Sequence, residues 1–333
     1  MATRQIISKH INVASGDYIG RDGELWIDTE TNTMRVSDGA TPGGVTLTTD
    51  GDITSTWANI TDINNGSGPS KIAVGFTAGY TTQGTSGIAI GNSAGSNTQG
   101  NFAVAIGATA GQTTQGALAV AVGSSAGETN QGDYGVAVGY RAGYTGQSSK
   151  AVAVGFNAGN ATQGERAVAI GDGAGEATQG NNAVAVGNDA GKTSQAINAV
   201  AVGTDAGNTT QGTSGIAIGN SSGSNTQGNF AVAVGLNAGN ATQGISAVAI
   251  GDSSGKTNQG EDAISIGNLA GETNQAANSI VINATGAALN NIVEDVFIVK
   301  PVRNGGAGAL PTGFHAVAYN PTTGEFAYYG SVG

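Results

Sequence analysis

The chain has 333 residues, of which 58 are glycine, with only 11% charged and 5% aromatic, so large side chains are too scarce to fill two ordinary globular cores. Five prolines and the lack of a triplet glycine period exclude collagen, and Val and Ile recurring on a fixed beat exclude a disordered chain. A net charge of −11 opposes binding to nucleic acid, and the absence of cysteine excludes disulfide staples and thiolate metal sites.

In chain order, MATRQIISKHINVASGDYIG has no apolar stretch of signal-peptide type, and no window approaches the length of an apolar membrane span. We therefore expect no membrane insertion. Residues 1–50 form a first domain. Within it, Glu24–Asp28, a turn over Thr29–Asn32 and Thr33–Ser37 read as a β-hairpin, with Trp26 assigned to its core. Residues 51–70, rich in Asn, Gly, Ser and Thr, form a neck.

Residues 71–282 are thirteen sixteen-residue repeats, the signature of a stacked array. A glutamine marks each: Gln83, Gln99, Gln115, Gln131, Gln147, Gln163, Gln179, Gln195, Gln211, Gln227, Gln243, Gln259 and Gln275. A glycine keeps the same step eight residues earlier, from Gly75 to Gly267. The unit AVAVGFNAGNATQGER (Ala151 to Arg166) alternates Ala with Val over its first four residues, which is the period of a strand. Gly155 and Ala158-Gly159 make a corner, Asn160–Gln163 a second short extended stretch, and Gly164 closes the turn. Such units predict an all-β parallel solenoid or β-roll.

One apolar strand face is expected to fill the coil interior, with Val and Ile the residues to be buried. The Ala face is left for close approach of other chains. Because one coil has little interior, stacking is required, and three-fold association is inferred. The glutamines are read as a structural amide ladder rather than a ligand site. The array ends where Asn283 replaces the glycine, leaving 283–333 as a β cap.

No enzymatic activity, cofactor or metal is expected. His10 and His315 lie in opposite terminal regions, and Asp172, Asp189, Asp205 and Asp252 are read as solvated corner residues. GNDAGKT (Gly187 to Thr193) and GDSSGKT (Gly251 to Thr257) have one residue too few between their glycines for a phosphate loop. Aromatic residues concentrate in the first half of the array, at Phe76, Tyr80, Phe102, Tyr134, Tyr140, Tyr144 and Phe156. A second group, Phe314, Tyr319, Phe326, Tyr328 and Tyr329, supplies the receptor-contact candidates.

Three segments carry resemblances. The A-V-A-I-G of Ala103 to Gly107 resembles the S-V-A-I-G core of the head repeats of trimeric autotransporter adhesins, which implies a trimeric parallel β-roll. GELWIDTETNTMRVSDGATPGG (Gly23 to Gly44) is similar to N-terminal domains of bacteriophage tail fibres and of the phage major tropism determinant family, over about fifty residues. That likeness implies a small trimeric β-prism near the virion-attachment end.

VFIVKPVRN (Val296 to Asn304) and YNPTTGEFAYYG (Tyr319 to Gly330) resemble segments of fibres from tailed phages, notably those of cyanobacteria, and from large algal viruses. Together these imply a homotrimeric tail fibre, assembled in a host cytoplasm and carried in the virion. It would join tail or baseplate proteins through residues 1–50 and contact a host-surface glycan or protein. The alternatives are an architectural baseplate or tail-spike component, and a bacterial surface adhesin.

Overall fold

The computed structural model describes residues 25–28, 33–37, 39–40, 45–47, 60–61, 70–302, 316–320 and 325–329. Two units divide the chain, residues 1–61 and 62–333, and all regular structure among the described residues is β. In the first unit, Leu25–Asp28 pairs antiparallel with Thr33–Val36, placing Leu25 opposite Val36 and Asp28 opposite Thr33. A third strand, Val45–Leu47, adds to Thr33–Val36, also antiparallel. The side chain of Trp26 lies outside the description.

The second unit is a parallel β-solenoid of about 14 turns with 16-residue spacing. Each turn contributes one three-residue strand, such as Val152–Val154, paired in register with Val168–Ile170 of the next. A two-residue strand on the opposite side, such as Thr162–Gln163, pairs with Thr178–Gln179. Corner residues are held the same way: Gly155 N–H donates to Val138 O at 2.9 Å, and Gly159 N–H to Ala174 O at 2.8 Å. Backbone pairing from coil to coil thus continues through the turns, where a lone coil would leave these groups unpartnered.

The two strand faces are the reverse of the sequence expectation. Ala153, at the middle of its strand, is 0% exposed, whereas Val152 and Val154 face outward and are half-buried. Ile170, in the next coil, is 41% exposed. The interior is a column of small residues: Ala151, Ala153 and Ala158 in one coil, followed by Ala167, Ala169 and Ala174 in the next. The glutamine supplies the remaining bulk, because Gln163 is itself 0% exposed. A sixteen-residue coil is too narrow to enclose β-branched side chains beside a glutamine, so the smaller residue takes the inside.

Close coil contact explains the glycine period. Gly155 has φ of +138°, and a Cβ there would lie 2.4 Å from Gly171 O of the following coil. Both the left-handed backbone and the clash exclude a side chain. Two further corner positions have positive φ without glycine, as at Asn157 (53°) and Arg166 (57°), and even Tyr134 adopts 59°. Parallel pairing continues past residue 282. Ile280–Asn283 joins the sheet, and Phe297–Lys300 pairs with it in turn, with Phe297 opposite Ile280. Here the interior becomes larger, with Val281 and Leu289 packed on Ala270 and against Ile298.

Candidate functional site

Twelve of the thirteen glutamines, Gln99 to Gln275, are buried in the solenoid interior, and Gln83 in the first coil is half-buried. Gln163 Nε2 donates to Val152 O of its own coil at 2.7 Å and to Gln179 Oε1 of the next at 3.1 Å. It receives from Gln147 Nε2 at 3.0 Å. This amide-to-amide chain is unbroken from Gln99 to Gln275. From Gln115 onward each amide thereby uses both its donor group and its acceptor away from water, as a buried polar group requires.

The ladder has distinct ends. Gln83 Nε2 donates to Ile72 O and Gly87 O rather than to Gln99, leaving Gln99 Oε1 buried without a partner among the described residues. At the other end Asn291, one methylene shorter, stands sixteen residues beyond Gln275 and donates to Val293 O.

Polar replacements within the column are satisfied locally. Ser254 and Ser265 stand where other coils have Ala, and Ser254 Oγ lies 2.9 Å from Ser265 O and 2.8 Å from Ser265 Oγ.

Three of the four corner carboxylates, Asp189, Asp205 and Asp252, have side-chain partners. Asp189 Oδ1 lies 3.0 Å from Lys192 Nζ, which also approaches Glu176 Oε2 at 3.6 Å. The hydrogen bond that Lys192 donates to Asp189 raises the Lys192 pKa above its ordinary value. This lysine belongs to the first phosphate-loop-like segment, whose Gly187 takes the same coil-to-coil corner as its counterparts. Asp205 Oδ1 accepts from Asn208 Nδ2 at 2.9 Å. Asp172 and Asp252 are exposed. Among the described residues, no three His, Cys, Asp or Glu side chains gather as a metal site.

Of the receptor-contact candidates, Phe314 lies outside the described residues. Tyr319, Phe326, Tyr328 and Tyr329 fall on an antiparallel pair, Ala316–Asn320 with Glu325–Tyr329, where Tyr319 is opposite Phe326 and Val317 opposite Tyr328. Their side chains are likewise outside the description.

The array aromatics are better defined. Tyr140 and Phe156, equivalent corner residues of successive coils, stack with ring centroids 5.2 Å apart at an interplanar angle of 18°. Arg141 lies over the Tyr144 ring at 4.3 Å.

A surface that the sequence reading assigned to the interior is the outer face of the three-residue strands. Two parallel ranks of Val and Ile run along it, including Ile90, Ile106, Ile170, Ile218 and Ile250 at 37–41% exposure. At about 4.8 Å per coil and about 7 Å between the ranks, the face covers roughly 450 Å² over the length of the array. Isolated monomers rarely expose a contiguous apolar patch beyond a few hundred Å².

Compared with models of known families, with curated proteins and with solved structures, the chain shows no match.

Proposed function

We propose that this chain is a virion structural protein, a phage tail fibre whose solenoid is a stiff homotrimeric shaft and whose non-repeating ends make its contacts. The observation carrying this reading is the outward Val/Ile face, which continues with the same register through successive coils. A face of constant cross-section suits packing against copies of itself, with the two ranks gathered around a three-fold axis. The Ala face, expected from sequence to make that contact, is inside the coil, so the Val/Ile face takes its place.

Length is then set by coil count, and the shaft holds one end away from the particle. Three-fold symmetry multiplies weak contacts at that end through avidity. Residues 1–50 serve attachment to tail or baseplate, and the C-terminal hairpin faces the host, an orientation supported by the resemblances of those segments. The role is mechanical, with no reaction assigned.

Antibodies against the full chain should decorate tails of phage particles in immuno-electron microscopy, and purified protein should reduce phage adsorption to host cells. Absence of label from particles would overturn the virion assignment. Tail label without competition for adsorption would favour an architectural spike component over an adhesin.

A further inference from the structure

The repeat is interrupted in the coil of residues 135–150, and its departures at Gly146 and Ser148 lie along one groove. The outward residue preceding each ladder glutamine is Thr98, Thr114, Asn130, then Gly146, then Thr162 and Thr178. Gly146 is the one gap in that rank. A Cβ there would meet only Ala161 O, at 3.3 Å. Two residues on, Ser148 replaces the glycine found at Gly132 and Gly164, adding a hydroxyl at the same place. A groove of about 820 Å³ results, lined by Asn130, Asp133, Tyr134, Ser148, Lys150 and Glu165 among others.

We infer that this groove is a lateral binding site for short neutral oligosaccharides, separate from either end of the shaft. Its volume lies within the range of small-molecule sites. Tyr134 is 54% exposed and offers an aromatic face to the C–H side of a pyranose ring. The Asp133 and Glu165 carboxylates accept hydrogen bonds, while Lys150, Asn130 and the Ser148 hydroxyl donate, a mixture that matches vicinal hydroxyls.

Charge favours a neutral ligand. Glu165 pairs with Arg166 at 2.9 Å and approaches Lys150 at 4.0 Å, so the cations are already partly neutralised and Asp133 opposes an added anion. A peptide strand is disfavoured as occupant, because the groove's backbone is paired with coils on both sides: Gly132 N–H donates to Gln147 O and Ser148 N–H to Gln163 O.

The repeat itself supplies substitutions compatible with the fold. Tyr134→Ser places serine at a positive-φ corner that Ser86, Ser214 and Ser246 already occupy. Gly146→Asn with Ser148→Gly restores the Asn130–Gly132 pattern of the preceding coil, where Asn130 already takes a positive φ of 56° beside the 73° of Gly146. Saturation-transfer NMR of the full chain with maltotriose, cellotriose, mannotriose and triacetylchitotriose should show transfer to at least one of them.

Each variant should weaken that binding by about tenfold or more, the scale of losing one aromatic contact, with an unchanged circular-dichroism melt. No transfer to any of the four sugars would overturn the proposal. So would undiminished binding in both well-folded variants, which would place the sugar elsewhere on the chain.

Discussion

Gln147 Nε2 donates to Gln163 Oε1 at 3.0 Å inside the solenoid, and Gln163 repeats the same bond to Gln179. Removing one amide therefore strands polar atoms in three coils. Gln163→Leu leaves Val152 O, the Gln147 amide and Gln179 Oε1 each short of a partner, and should destabilise the shaft by about 2–4 kcal/mol. Gln83→Leu, outside the continuous chain, should cost measurably less. Hydrogen-exchange protection of the flanking strands compares the two.

Gly155→Ala should be among the most damaging small substitutions, costing about 3 kcal/mol or more, because positive φ and the contact with Gly171 O act together. Gly164→Ala should be milder: a Cβ there also presses on the next coil, 2.5 Å from Asn181 N, but the backbone is not left-handed and can shift. Ala196 and Ala276 occupy equivalent corners, and Ala196 N–H still donates to Gln211 O at 3.0 Å. Thermal melting of the two variants distinguishes them.

Buried polar side chains among the described residues are Ser, Gln and Asn, none of which titrates. Unfolding midpoints of the shaft should therefore vary little between pH 5 and 9. The raised pKa of Lys192 gives its ion pair a stabilising contribution that is complete below the unfolded lysine value and lost as pH rises through the folded one. Any resulting loss falls on the alkaline side, near pH 10 and above. It should be small, since the Lys192 side chain is 39% exposed.

Replacing Val152, Val168 and Val184 together by Lys adds three charges to the outward face without touching the Ala column. The expected outcome is a monomer with native circular dichroism. Retention of the oligomer would place its interface elsewhere.

The coil spacing and the strand at Val152–Val154 were legible because sixteen-residue periodicity and two-residue alternation leave direct marks in sequence. Alternation alone did not say which face turns inward. Val and Ile look like core residues until the coil's width is known, and that width depends on Gln163 lying inside beside Ala153 and Ala158.

The left-handed corners at Tyr134 and Arg166 carried no glycine to announce them. The Gly146 groove was invisible because its lining comes from four successive coils, and the gap appears only when equivalent positions are stacked. The ends of the ladder, at Gln83 and Asn291, likewise depend on hydrogen bonds that spacing does not encode.

The most direct test of the shaft assignment is the solution mass of the full chain by light scattering, with electron-microscope images of the same sample. A mass of three times 32.4 kDa in an elongated particle is the expected result. A monomer of compact outline would contradict the fibre-shaft assignment.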